Sequence, residues 1–182
     1  MTSCAWYRDD DETNLRAPHK LDPPQYLSTE ELYRKTGVRY EKVPESVCDD
    51  NEALERLPSE RKYIFHDYME MDRDVLKDYD KMMEVFYDEH LHEDPEIRLI
   101  VSGAGFFEVR SVEDRWVRIH VQKGDLLDLP PGIWHRFVLD DKDYIKMLRL
   151  FSETPTWEAE FRKKVENPPA RDRYRKAMAA IA

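Results

Sequence analysis

From residue 96 to residue 151 the chain alternates apolar and polar positions in short runs, and turn-forming residues break those runs at near-regular intervals. Side chains in an extended strand point alternately to opposite faces, so such runs predict strands half-buried in a sheet. The predicted strands are Ile97 to Val101, Phe106 to Arg110, Trp116 to Val121, Leu126 to Leu129, Trp134 to Leu139 and Tyr144 to Phe151. Between them lie Ser102-Gly103-Ala104-Gly105, Glu113-Asp114, Lys123-Gly124-Asp125, Pro130-Pro131-Gly132 and Asp140-Asp141-Lys142. Many short strands with regular turns point to an antiparallel sandwich, or to a small closed barrel with a mouth for a ligand.

The first half of the chain has a different texture. Ala5 to Tyr7 reads as a short strand, and Asp22-Pro23-Pro24 as loop. Ser28-Thr29-Glu30-Glu31 has capping-box spacing, which starts a helix running toward Gly37. Asn51 to Arg61 fits a second helix and Val75 to Phe86 a third. Tyr63 to Met71 alternates as a strand, with Tyr63, Phe65, Asp67, Met69 and Met71 on one side. The expected fold is mainly β, a barrel with N-terminal α-helices packed outside. It forms a single domain over 1–182, with mixed α/β cover in 1–86, the barrel core in 87–151 and a C-terminal extension in 152–182.

Composition narrows this picture. At 182 residues with 41% hydrophobic and 37% charged positions, the chain can bury one core beneath a charged surface. No apolar run approaches the roughly 20 residues that span a bilayer, and the start of the chain turns acidic too soon for a signal peptide. An intracellular location is expected, with Cys4 and Cys48 as reduced thiols. A net charge of −10 opposes nucleic-acid binding. Arg162, Lys163, Lys164, Arg171, Arg173, Arg175 and Lys176 form one basic stretch, expected to be a solvated face and, failing that, a patch for a protein partner.

The candidate chemistry begins at His90-Leu91-His92-Glu93-Asp94-Pro95-Glu96. In a strand His90 and His92 face the same way about 7 Å apart, near enough to share one ion. Pro95 forces a bend before Glu96, so parity leaves Asp94 as an alternative carboxylate. A third imidazole, His135, follows the Pro130-Pro131-Gly132 turn. Three imidazoles and one carboxylate suit Fe(II), Ni(II), Mn(II) or Zn(II).

Beyond the bend, Glu96, Arg98 and Ile100 share a face, while Ile97, Leu99 and Val101 form an apolar row that needs cover from outside. Arg149 sits in the row Ile145, Met147, Phe151, a guanidinium among apolar side chains. Each arginine needs an anion, which is either a substrate oxyanion or a structural partner such as Glu96, Glu108 or Asp128. His120 and His66 read as structural, and His19 lies in a loop without an evident partner. Phe86 is a core residue that also stands near enough to His90 to line a pocket.

Two stretches resemble the paired cupin motifs: His90-x-His92 with Glu96 and Gly103, then Gly124, Pro130-x-Gly132 and His135. Glu84 and Leu139 depart from the pattern at its edges, at positions that are not metal ligands. The chain more closely resembles the eukaryotic type of the acireductone dioxygenase family. The carrying residues are Ala5-Trp6-Tyr7, Pro18-His19, Phe86 to His92, Glu96-Ile97-Arg98, Gly124-Asp125, Leu129 to Phe137 and Met147 to Phe151. The resemblance implies His90, His92, Glu96 and His135 as metal ligands. It places Arg98 and Arg149 as catalytic residues on the substrate's oxygens, with Phe86 and Phe137 flanking the substrate.

The resemblance also implies one Fe(II) or Ni(II) per chain, a small acireductone substrate and dioxygen. It implies a role in methionine salvage, a monomer, and a cytoplasmic location extending to the nucleus. In the family Fe(II) directs cleavage to formate and a keto acid, whereas Ni(II) directs a cleavage that also releases carbon monoxide. Rival readings on the same fold are a Zn(II) sugar isomerase and a pirin-like interaction protein. Neither accounts for two inward arginines beside aromatic rings.

Overall fold

The computed structural model describes residues 4–181. In chain order the strands and helices are β1 (Ala5–Tyr7), β2 (Tyr26–Leu27), α1 (Thr29–Thr36), β3 (Arg39–Lys42), α2 (Glu45–Cys48), α3 (Asn51–Glu60), β4 (Phe65–Met71) and α4 (Tyr79–Tyr87). They continue as β5 (His90–Leu91), β6 (Glu96–Arg110), β7 (Trp116–Gln122), β8 (Asp125–Leu129), β9 (His135–Leu139), β10 (Ile145–Phe151), β11 (Glu160–Phe161) and α5 (Pro169–Ile181).

Among the described residues every strand pairing is antiparallel, and one strand joins two sheets. The first part of β6 pairs with β8 and β10, which extend outward to β3 and β4. Its second part pairs with β7 and β9, and that sheet runs on to β1, β2, β5 and β11. The strand changes sheets at Gly103, whose φ is 77°. A Cβ there would stand 2.2 Å from the Tyr144 carbonyl oxygen, so only glycine fits. The sequence reading placed a turn at 102–105 and two strands around it. The ladder in fact continues through the bend, because the Ala104 amide donates to that same Tyr144 carbonyl at 3.1 Å.

The inner faces of both sheets share one core that includes Ile100, Phe107, Val117, Leu127, Phe137 and Met147. On the outer face, Ile97, Leu99, Val101, Leu148 and Leu150 pack beneath Cys48, Leu54 and Leu57 of α2 and α3. The external apolar row therefore receives its expected helical cover. Strands from the same region, β1, β3 and β4, also enter the sheets. The β3 and α2 segments carry too few periodic residues to have been predicted.

Helix α1 starts as expected, with the Ser28 hydroxyl accepting from the Glu31 amide and the Glu31 carboxylate accepting from the Ser28 amide. Helix α4 begins later than the periodicity suggested. Asp78 lies in the left-handed region at φ 54°, and the Val75 and Leu76 amides close a separate turn on Asp72. The basic C-terminal stretch is solvated as expected at Lys163, Lys164, Arg173, Arg175 and Lys176, but not at Arg171, which is buried. The stretch contains α5, whose Tyr174 and Met178 enter the core and whose Tyr174 hydroxyl donates to the Thr36 carbonyl at 2.9 Å. Among the described residues no helix is long and apolar enough to cross a membrane, and Cys4 and Cys48 are free thiols.

Candidate metal centre

Register brings the histidines together. His90 is the direct cross-strand partner of His135, which puts their ring centroids 4.4 Å apart. His92, just past β5, lies 5.1 Å from the His90 ring and 5.4 Å from the His135 ring. One candidate donor atom from each of the three lies within 4.8 Å of the others. Glu96 opens β6, and its Oε2 is 3.3 Å from His92 Nε2 and 3.2 Å from His135 Nε2.

The backbone fixes which nitrogen of each ring is free. Nδ1 of His90 lies 2.7 Å from the Asp88 carbonyl, Nδ1 of His92 is 2.7 Å from the Glu158 carbonyl, and Nδ1 of His135 is 3.0 Å from the Ile133 carbonyl. A carbonyl oxygen only accepts, so each Nδ1 carries the hydrogen and each Nε2 presents a lone pair. Such carbonyl anchoring is how ligating imidazoles are oriented.

The electrostatics keep this donor set ready for a cation. Burial pushes the His90 imidazole down to about 3, and the neighbouring His135 and His92 add to that shift. Burial likewise lowers His92. Burial alone would raise the Glu96 carboxyl, but the Arg98 guanidinium beside it holds it well below the usual carboxylate range. His90 and His92 are therefore neutral imidazoles beside an ionised carboxylate.

The four residues fit a divalent ion. Buried His135 Nε2 has no hydrogen-bond partner, although it stands 3.2 Å from a carboxylate oxygen that also offers only lone pairs. Two acceptors at that distance repel unless a cation lies between them. Neighbouring ligands of an ion bound at roughly 2.1 Å stand about 3 Å apart, which matches the spacing found.

Asp94, the alternative carboxylate, accepts instead from the Thr156 amide at 2.9 Å and the Thr156 hydroxyl at 3.0 Å. It ties down the segment whose Glu158 carbonyl orients His92.

The centre opens into a cavity of about 240 Å³, lined on its apolar side by Met69, Met71, Phe107, Phe137, Met147 and Phe151. Phe86 also lines it, half-buried. Arg98 is buried in the wall, with Nη2 3.6 Å from Glu96 Oε2 and Nη1 donating to the Ile97 carbonyl. Arg149 lines the cavity too, and its guanidinium grips Asp67 in a two-pronged pair, with Nε donating to Oδ1 at 2.6 Å. Trp157 stacks 4.5 Å from that guanidinium.

Asp67 is a site residue that the sequence reading missed. The signal was present, since Asp67 is the lone carboxylate in its apolar row as Arg149 is the lone cation in its own. The two rows are register partners in β4 and β10. The remaining histidines lie elsewhere. His120 stands 3.8 Å from Asp140, and His66 is exposed. His19 is buried and does have partners, the Asp9 carboxylate and the Asn14 carbonyl.

A cupin barrel with three imidazoles and a carboxylate converging at its mouth defines a class of metal-binding protein. Comparison with known proteins narrows that class. The model of the ARD/ARD' family matches residues 4–159, and the chain belongs to that family. It is 44% identical to acireductone dioxygenase of Ixodes scapularis over 171 residues, covering 93% of each chain. It is 41% identical to the Homo sapiens acireductone dioxygenase over 178 residues, covering 98% of each. Among solved structures, acireductone dioxygenase from Bacillus anthracis, which holds a cadmium ion in its active centre, superimposes with a TM-score of 0.66 at 21% identity. The match covers 88% of this chain and all of that one, and it shows the shared fold.

Proposed function

We propose that this chain is a metal-dependent acireductone dioxygenase of methionine salvage. Its substrate is 1,2-dihydroxy-3-keto-5-methylthiopentene, and its metal is Fe(II) or Ni(II) held by His90, His92, Glu96 and His135. The observation that carries this reading is the convergence of three carbonyl-anchored imidazoles on one carboxylate, beside two guanidinium groups in an otherwise apolar cavity.

Held by His90, His92, Glu96 and His135, the ion would supply Lewis acidity to the ionised enediol. Arg98 and Arg149 balance the negative charge of that substrate, and the burial of Arg98 in the cavity wall strengthens its part of the interaction. Phe86 and Phe137 confine the planar reacting portion. The methionine side chains and Phe151 provide an apolar surface for the methylthio tail. Arg149 is held in place by Asp67, so its orientation is set before substrate arrives.

With Fe(II) the expected products are 2-keto-4-methylthiobutyrate and formate. With Ni(II) they are methylthiopropionate, formate and carbon monoxide. The test loads metal-free protein separately with each ion, adds acireductone, and follows oxygen uptake and products. Oxygen consumption no faster than the spontaneous oxidation of the substrate would reject the assignment.

A further inference from the structure

Away from the metal centre, α1, α5 and the turn at Asp114 enclose a groove of about 390 Å³, within the size range of small-ligand sites. Four arginines line it, Arg34, Arg162, Arg171 and Arg175, against a single carboxylate, Asp114. That carboxylate is already committed, because Arg162 donates to both of its oxygens at 2.9 Å. The chain as a whole is strongly acidic, so this local positive excess is not a background effect.

Arg171 is the anomalous member. It is only 6% exposed, and its Nε is buried without a hydrogen-bond partner. Its Nη1 donates to the Gly132 carbonyl at 3.2 Å, and its guanidinium lies 4.6 Å from the Tyr174 ring. Among the described residues no carboxylate forms an ion pair with it. A buried guanidinium without a direct ion-pair partner is costly, and Arg175 and Arg162 add like charge beside it, which Asp114 offsets only from a distance and while engaged by Arg162.

The other two cations are exposed and weakly held. Arg175 reaches only the Asn167 side-chain oxygen at 3.2 Å and Asp172 at 3.9 Å. Arg34, in the last turn of α1, forms no ion pair among the described residues. Arg171 and Arg175 are four residues apart on one helix and share a face, while Arg34 approaches from another helix.

We propose that this groove is a second ligand site and that it binds an organic phosphate monoester. Guanidinium groups presented by two helices, Arg171 and Arg175 from α5 and Arg34 from α1, suit the three terminal oxygens of a phosphate, whereas a carboxylate offers only two. Val112 and Met178, which also line the groove, supply an apolar surface for the organic group. The three participating arginines lie in α1 and α5, and Arg171 and Arg175 fall beyond residue 159, where the family match ends. The inference does not depend on the chemistry assigned to the metal centre.

The probe is phenyl phosphate, titrated calorimetrically into metal-loaded protein at low salt, with phenol as the neutral control. Saturable binding with a dissociation constant of about 1 mM or tighter is expected, weakening as salt rises, with no binding of phenol. The double substitution Arg34→Glu with Arg175→Glu alters two exposed side chains. It is expected to weaken binding at least about tenfold while metal content and melting temperature stay unchanged. Absence of saturable binding to the unaltered protein would overturn the proposal. So would equal affinity in the double variant, since that result puts the phosphate elsewhere, at the metal centre for example.

Discussion

Glu96 and Glu108 lie on the same strand, β6, one on each side of its bend, and their surroundings differ in kind. Glu108 is fully buried among cations supplied by the protein. Its Oε1 lies 3.0 Å from Arg8 Nε and 3.3 Å from Arg118 Nε, and Oε2 accepts from Arg136. The three guanidinium groups are held in turn by backbone carbonyls, by Glu12 and by aromatic faces. Glu96 also meets a guanidinium, Arg98, but its nearest neighbours are the lone pairs of His92 and His135. A buried carboxylate ringed by fixed cations has its charge balanced within the fold, even though Glu108 Oε1, Arg8 Nε and Arg118 Nε make no hydrogen bond among the described residues, whereas one facing fixed lone pairs requires a cation from outside.

Substituting each carboxylate by its amide tests this contrast most directly. Glu96→Gln is expected to lose bound metal and to reduce dioxygen consumption by about 10²–10³-fold or more, with the metal-free fold intact by circular dichroism. Glu108→Gln should do the reverse. It leaves three guanidinium groups short of negative charge and should lower unfolding stability by about 3–5 kcal/mol, with unchanged metal per folded chain. A folded Glu108→Gln protein that cannot bind metal would erase the distinction between the two clusters.

Acid provides the next test, applied to metal-free protein. His90 is held down to about 3 by burial first and then by its neighbouring imidazoles, while an unfolded histidine titrates near 6.5. Between those values the unfolded chain takes up a proton that the folded chain refuses, so stability falls as pH drops through that window. Glu96, also held low, acts in the same direction below the ordinary carboxylate range. Thermal midpoints measured from pH 7 to pH 4 should fall, and His90→Gln should flatten the slope.

A smaller effect is expected for Asp67→Asn, which removes the ionic grip on Arg149. A loss of about tenfold in kcat/KM with full metal occupancy is expected, and wild-type kinetics would show that Arg149 needs no positioning partner. The smallest effect should come from Lys35→Met. The Lys35–Glu113 pair is about 40% exposed on both sides, and the urea denaturation midpoint should not move measurably.

The site was more legible in the chain than the fold around it. His90, His92 and His135 are recognisable because their spacing is tied to strand parity and to one turn, whereas parity left Glu96 and Asp94 as rival carboxylates until the fold tied Asp94 to Thr156. Inward orientation of Arg98 and Arg149 follows from the same alternation, and both indeed line the cavity. Asp67 lay in plain sight in its apolar row, yet it acquires meaning only from the register that pairs β4 with β10. The basic stretch is solvated as expected at Lys163, Lys164, Arg173, Arg175 and Lys176, but charge composition is blind to which helical face is apolar and so could not show that Arg171 is buried. Tyr174 and Met178 bury α5 against the core, while Arg162 is taken up by Glu89 and Asp114.

Local rules act over a few residues, and they account for what the chain determined unaided: the strand runs of the barrel, the α1 cap, the donor residues and the faces they occupy. Long-range pairing decided the rest. It set the orientation of His92 by the carbonyl of Glu158 and the partner of Arg149. It also carried β6 through Gly103 from one sheet to the other and left Arg171 buried without a direct ion-pair partner. These features depend on segments far apart in sequence meeting at fixed distances, and no local pattern encodes such a distance.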